Sequence, residues 1–551
     1  MGVNFSKYFY NNINLTKRGE LVLKLKKNLL MLAILLVTAM IIAACSNEDG
    51  EDDSASTSEP DENFNAEGYP IVDESITLEM MGKKSPIQPE WEEMGFFQEM
   101  KEMTNINFEF RTSSSDDFTQ NKQLSFASLD LPDVYYGAEL TEGEVVDYGS
   151  QGLLVPLEDL IEKYAPNIQK LLDEYPDLKA SITTPDGHIY ALPALDQAPT
   201  SKTPIMWLNG PWLDELGMDK PATMDEFYEM LKAFKEQDPG NVGDVIPLTA
   251  NTAADLRIGI LPNFGIVQED GIYQEDGEVK FAYVQDEFRE YLTFLNKLYE
   301  EKLLDNDMFS HTWEQFVAKG ERTGIFSTWP IVMVGFEDPR DALNYPMLPP
   351  MTSKTNDELQ TIEYSEYFRG RAAITSENEH PAATMRWLDY LYTEEGTLLS
   401  RLGIEGVTYE WNEDGQWVLL AEDGLSTTET NAKHAPGVGT SVPMVLSKEF
   451  YEKEGGNPAI LEIYDWAEEQ LIPHAKMPYP QVYFTVEEQQ EIGMLKPDID
   501  SYFEQMEAKF ITGAESIDNK WGEFVETLES LNIERYIEIH QAAYDRWSEA
   551  Q

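Results

Sequence analysis

"SITLEMMG" (Ser75–Gly82), "EWEEMGFFQEMKEMTN" (Glu90–Asn105) and "INFEFRT" (Ile106–Thr112) decide how this chain is read. The first is a short apolar run that stops at a glycine. The second places Met94, Phe97, Met100 and Met103 at helical spacing, and the third returns to an extended, aromatic-rich run. Strand, helix and strand in close succession make a unit whose strands are joined by a helical crossover. The pattern goes on: "FTQNKQLSFASLD" (Phe118–Asp130) reads as a helix and "LPDVYYG" (Leu131–Gly137) as a strand ending on exposed-looking tyrosines. Alternation of this kind predicts an α/β fold.

Working outward, "VPLEDLIEKYAPNIQKLLDEYP" gives helices punctuated by Pro166 and Pro176. "TPDGHIYALP" predicts a hairpin turning at Asp186-Gly187, and "GIYQEDGEVKFAYV" a second one turning at Asp276-Gly277. Thr223 with Glu226 three residues later forms a capping-box signature ahead of "MDEFYEMLKAFKEQ". "HPAATMRWLDYLYTEEGTLLSRLG" predicts a helix closed by Gly403, and beyond Pro473 the chain is expected to be largely helical.

The amino-terminal end carries different physics. Lys17, Arg18, Lys24, Lys26 and Lys27 precede a run of 16 uncharged residues, Leu29 to Ala44, and then Cys45, the chain's one cysteine. At helical rise this run falls short of the roughly 20 residues that cross a bilayer comfortably. A basic stretch, a short apolar stretch and small residues before a cut have the layout of an export signal. Ser46–Gly68 then holds nine acids and no Lys or Arg, so it is expected to stay an open tether reaching on the order of 30 Å. An uncleaved single-span anchor or an ordinary apolar thiol are the alternatives.

The formal net charge is −61, and −66 once the +5 of residues 1–44 is set aside. Such a surface repels polyanions, which excludes nucleic acid as a partner. One cysteine allows no intrachain disulfide. About 500 residues beyond the leader exceed what one core serves well, so two lobes or more are expected.

Eight stretches also resemble a known family, in family order. They are "NKQLSFASLDLPDVYYG", "GLLVPLEDLIEKYAPNIQKLL", "TPDGHIYALP", "WLDELGMDKPATMDEFYEMLKAFK", "FLNKLYEEKLLDNDMFS", "GERTGIFSTWP", "HPAATMRWLDYLYTEEG" and the C-terminal stretch Phe510–Trp547. Together, over residues 75–548, they resemble the extracellular solute-binding lipoproteins of carbohydrate ABC importers. "IIAAC" resembles the bacterial lipobox, which implies cleavage before Cys45 and a diacylglycerol on its sulfur. The family implies a two-lobed, type II periplasmic-binding-protein-like α/β fold with the ligand cleft between lobes joined by hinge crossings. It implies an oligosaccharide ligand, no cofactor, and a monomer docking on a two-subunit permease driven by a cytoplasmic ATPase, at the extracellular face of the membrane. "GKKS" (Gly82–Ser85) lacks the glycine spacing of a phosphate loop, so this chain is not the motor.

The resulting expected boundaries are a signal peptide at 1–44, a tether at 45–68, N-lobe segments at 69–195 and 369–440, and C-lobe segments at 196–368 and 441–551. Sugars present C–H patches to aromatic rings and hydroxyls to planar polar groups. Trp329 in "GIFSTWPIVM" resembles the cleft tryptophan segment of maltodextrin-binding proteins and is the leading candidate. Tyr135 and Tyr136 end a strand where the family contacts ligand. Trp207 lies near the first expected crossing, Tyr364, Tyr367, Arg369 and Arg371 near the second, and Tyr483 near a third. Core packing is the competing reading for each aromatic, and the favoured one for Trp212, Trp387, Trp466 and Trp547, which sit in helical patterns. Lys83-Lys84 and Arg369/Arg371 either meet a uronate carboxylate, or make ordinary hydroxyl contacts or balance surface charge.

Many relatives carry a calcium loop where this chain has "DPGNVGDVIPLT". The shortened version keeps Asp238, Asn241 and Asp244, too few oxygens for a hard cation. Six scattered histidines show no H-E-x-x-H spacing, and "YGSQG" around Ser150 is not a nucleophile elbow, so no catalytic residue is assigned. A secreted glycoside hydrolase and a surface sensor not coupled to transport remain the alternatives to a transport role.

Overall fold

The structure is a computed structural model, described here for residues 62–327 and 339–549. Cys45, the leader, most of the acidic tether and Trp329 lie outside the described residues.

The opening strand–helix–strand unit forms as expected. Strand Ile76–Lys84 pairs in parallel with Ile106–Ser114 over nine residues, from Ile76↔Ile106 to Lys84↔Ser114, with helix Gly95–Thr104 between them in sequence. Both strands lie in a six-stranded sheet whose spatial order is Val445–Leu446, Leu192–Asp196, Tyr367–Ile374, Val134–Tyr136, Ile76–Lys84, Ile106–Ser114. Tyr367–Ile374 runs antiparallel to its two neighbours, and the other pairings are parallel. Parallel strands are buried on both faces, so Leu78, Met80 and Val134 are fully enclosed. This sheet is the core of the N-lobe.

A second, three-stranded sheet orders Met206–Leu208, Thr323–Ser327 and Ile246–Ala250. Its lobe is completed by helices. Phe288, Leu292 and Leu295 from helix Asp286–Glu300 share one apolar cluster with Phe503 and Phe510 of Val486–Thr512, Phe524 of Ile517–Ser530 and Tyr536 of Ile533–Glu549. A sheet of three short strands cannot enclose a core by itself, and the C-terminal helices supply the missing layer.

Several expectations are corrected. Residues 62–68, expected to belong to the tether, pack on the body: Phe64 sets its ring edge-on to Tyr164 at 5.2 Å and the Asn65 N–H donates to the Ile71 carbonyl. One half-buried ring and a few backbone bonds outweigh the acidic composition of these residues. The N-lobe's second segment passes 440: Val445–Leu446 pairs with Leu192–Asp196, and Phe450 and Tyr451 enter the N-lobe core. The 184–193 stretch makes a turn, with Gly187 N–H donating to the Thr184 carbonyl, but its extended arm Leu192–Asp196 pairs with distant strands instead of folding back on itself.

The predicted helix before Gly403 is two helices, Pro381–Tyr390 and Glu394–Arg401. Thr393 interrupts it by capping the Gly396 N–H. A side chain at Gly396 would meet the Tyr390 carbonyl at 2.0 Å, so the close approach there requires glycine. The hairpin at Asp276-Gly277 forms as read, and Thr223 caps helix Met224–Gln237.

Candidate ligand-binding site

Three stretches of chain run side by side between the two sheets. The first links Leu192–Asp196 to Met206–Leu208, the second leads into Tyr367–Ile374, and the third spans 475–484. Tyr364 N–H donates to the Lys202 carbonyl at 2.8 Å and Glu363 N–H to the Lys476 carbonyl at 2.9 Å. The Thr203 and Thr361 hydroxyls meet at 3.1 Å, and Thr361–Ile362 pairs in parallel with Ala475–Lys476. Glu366 accepts from the Gln197 amide at 2.8 Å and pairs with Lys202. The junction is therefore a small hydrogen-bonded layer where flexing alters few buried apolar contacts.

Two cavities open on this layer. One, of about 190 Å³, is walled by Asp177, Glu363, Tyr364, Tyr367, Tyr479 and Trp547. The other, of about 480 Å³, lies against Glu142, Asp270, Phe484, Lys496 and His540. They share Glu269, Tyr479, Pro480 and Gln481. Tyr367 donates its hydroxyl to Asp177 at 3.1 Å. Burial raises the Tyr364, Tyr367 and Tyr479 phenols above their ordinary range, and nearby carboxylates add to this, so all three stay neutral. Burial also raises the carboxyls of Glu269, which Asp270 reinforces, and of Glu363, which Glu366 reinforces. His540 donates from Nδ1 to the Tyr536 carbonyl at 2.8 Å, and burial depresses its imidazole to about 4. Carboxyls on the cavity walls accept hydroxyl protons, and the rings offer flat apolar faces. That combination suits a polyhydroxylated ligand.

Of the candidates from sequence, Tyr364 and Tyr367 are brought together on the smaller cavity. Tyr483 lines neither cavity and packs into the N-lobe, its ring 4.6 Å beneath the Arg369 guanidinium. Arg369 also donates to the carbonyls of Ser181 and Val482, each at 3.1 Å, and pairs with Glu142. It fastens helix Pro176–Ile182 to the third stretch with most of its donors spent. Lys83 pairs with Glu139, which also sits 3.6 Å from Arg371, and Lys84 pairs with Glu90.

The other aromatic candidates are interior. Tyr136 is fully buried among Trp91, Phe97 and Trp387, with ring separations of 5.4–6.1 Å. Tyr135 is equally buried, stacked on Phe126 and bonded to the Ser125 hydroxyl at 2.5 Å. Trp207 is enclosed beside Phe316, Phe326 and Met347. Trp329 lies outside the described residues.

Sequence reasoning missed Tyr479, Glu269, Glu363 and Trp547. The amphipathic pattern of its helix predicts packing for Trp547, yet it reaches the cavity wall. Tyr479 carried a usable signal: it shares "PYPQVYF" with Tyr483.

In the shortened loop, both Asp238 carboxylate oxygens accept backbone N–H groups, from Val242 at 2.8 Å and Gly243 at 2.9 Å, while Asp244 pairs with Arg322 at 2.9 Å. These oxygens hold the turn together. Among the described residues no group of three or more His, Cys, Asp or Glu could hold a metal ion, and no helix is long and apolar enough to cross a membrane.

Residues 82–398 match the family described as bacterial extracellular solute-binding protein. A fructooligosaccharide ABC transporter substrate-binding protein of Streptococcus pneumoniae, FusA, is 28% identical, with 94% of this chain aligned to 97% of that one. A polygalacturonan/rhamnogalacturonan-binding protein of Bacillus subtilis is 22% identical over 71% of this chain and 75% of its own length. The structure of the pneumococcal protein in complex with kestose superposes with a TM-score of 0.72 at 27% identity, covering 86% of this chain and all of that one. A solute-binding protein of Bifidobacterium longum superposes at 0.75 with 21% identity, covering 86% of this chain and 98% of that one, a likeness of fold.

Proposed function

The chain belongs to the bacterial extracellular solute-binding proteins, and from that premise we propose that it captures an oligosaccharide between its two lobes and hands it to an ABC importer. The observation that carries this reading is the pair of adjoining cavities at the lobe junction, walled by tyrosines and carboxyls. Tyr364 and Tyr367 are the ligand-contacting residues on this reading, and Trp329, outside the described residues, is the further candidate from sequence. Arg369 is a positioning residue, because its donors already serve Glu142, Ser181 and Val482.

Cys45 carries the diacylglycerol in this proposal, and the binding body delivers its ligand to a two-subunit permease. The protein acts as a monomer on the outer face of the membrane and performs no chemistry on its ligand.

Binding is tested by tryptophan fluorescence and calorimetry with tri- to pentasaccharides, assaying the same mixtures for new reducing ends. Saturable binding with no reducing ends is expected. Release of reducing ends in proportion to protein would make it a hydrolase instead. Mass spectrometry of the protein isolated from membranes should find the amino terminus at Cys45 with two or more acyl chains. An unmodified thiol there would remove the anchor.

A further inference from the structure

The relatives' printed names divide between a neutral fructan ligand and acidic pectic ones, so family membership leaves the ligand's charge open and this chain's own side chains must decide it. The two junction cavities are lined by six carboxylates, Glu142, Asp177, Glu269, Asp270, Glu363 and Glu366, and by one ammonium, Lys496. Lys496 is already committed, 2.8 Å from Asp500 and 3.6 Å from Asp270. His540 adds no cation, because its buried imidazole is neutral above about pH 4.

The basic side chains around the junction are also engaged. Lys202 pairs with Glu366, Arg369 with Glu142, and Lys476 with Glu358 at 2.7 Å. One corner runs the other way, where Glu139 answers both Lys83 and Arg371. Neither of those cations lines the two cavities.

Resting on the oligosaccharide reading above, we propose that this site selects neutral oligosaccharides and rejects uronate-bearing ones. A neutral sugar donates its hydroxyls to the cavity carboxyls and lays its C–H faces on Tyr364, Tyr367 and Tyr479. A uronate carboxylate in the same place meets like charge and, among the described residues lining the cavities, finds no guanidinium to hold it. Arg with its planar fork is the side chain that recognises carboxylates, and here the nearby forks are spent on the protein itself. Rejection by repulsion is a selectivity device in its own right.

The test is calorimetric titration of the full chain in detergent with a panel of neutral tri- to pentasaccharides, kestose included, and a size-matched panel of oligogalacturonates. The best neutral sugar is expected to bind at least ~tenfold more tightly than the best uronate. In the Glu269→Gln/Glu363→Gln variant that ratio should fall by about threefold or more, toward the uronates. Uronate binding as tight as neutral binding overturns the charge selection while leaving an oligosaccharide-binding protein. A ratio unmoved in the folded variant overturns it as well, since the carboxyls would then not be its source. Should the double variant fail to fold, the single Glu269→Gln variant takes its place. Binding of neither panel overturns the oligosaccharide reading and this selection with it.

Discussion

The interior of the N-lobe and the junction between lobes each hold a pair of tyrosines at a strand end, and the two pairs do different work. Tyr135 and Tyr136 finish strand Val134–Tyr136, but helices from distant parts of the chain cover that end. Trp91, Phe97 and Trp387 close around Tyr136, while Phe126 stacks on Tyr135. Tyr364 and Tyr367 lead into strand Tyr367–Ile374 at the layer of crossings, where both stay half-buried and wall a cavity. A strand end becomes a binding wall only if no helix claims it. Burial in one region and openness in the other therefore predict opposite responses to the same substitutions.

The largest effect is expected from Tyr136→Ala. Removing a fully enclosed ring from an aromatic cluster leaves a cavity and should cost about 3–5 kcal/mol, measured by denaturant unfolding. A cost under about 1 kcal/mol would mean the ring is not the interior group described here.

The next effect tests whether the junction has an interior of its own. His540 lines the larger cavity but is only 7% exposed, packed against Tyr479, Phe484 and Tyr536. Its imidazole is depressed from 6.5 to about 4 by burial. The folded state thus favours the neutral ring. The contribution is complete above pH 6.5, where both states are neutral, and is lost progressively as pH falls toward 4 and the unfolded chain takes up the proton first. The loss is of order 2–3 kcal/mol. Comparing unfolding free energies at pH 7 and pH 4.5, the native chain should lose more stability than a His540→Gln variant. Equal losses would place His540 in contact with solvent.

Third is Tyr364→Ala, expected to weaken oligosaccharide binding by ~tenfold with less than about 1 kcal/mol change in stability, the reverse of the Tyr136 result. Unchanged affinity would remove Tyr364 from the ligand contacts and break the contrast at its junction end.

How much of this was legible follows from where each signal resides. The pairing of Ile76–Lys84 with Ile106–Ser114, and the turn at Asp276-Gly277, are written locally: β-rich runs, a helical period between them, and a dipeptide that accepts the turn geometry. Val445–Leu446 is only two residues long and gains its place by docking on Leu192–Asp196, so no local pattern could extend the N-lobe past 440. The cavity shows the same limit more strongly. Its walls draw on Asp177, Glu269, Tyr364, Tyr479 and Trp547, residues far apart in the chain and each unremarkable in its own window. Charged candidates were visible as rare cations in an acidic chain, but their partners Glu139 and Glu142 were hidden among 101 acids. Sequence marks which residues are unusual. The fold decides which of them are left open.

The smallest predicted effect separates the two regions by sign. The Tyr136 hydroxyl is buried with no hydrogen-bond partner, so it bears the desolvation cost of a polar group without compensation. Tyr136→Phe keeps the ring and deletes that cost, and should raise stability by up to about 1 kcal/mol. The Tyr367 hydroxyl donates to Asp177 at the partly open cavity rim, so Tyr367→Phe should lower stability by roughly 0.5 kcal/mol. Each change removes one oxygen atom from the same residue type, so composition and ring volume cannot account for a difference between them. Opposite signs in paired unfolding curves follow from enclosure at one site and a hydrogen bond at the other. Like signs would mean that the two hydroxyls are equally satisfied, and that the line drawn here between interior and junction is misplaced.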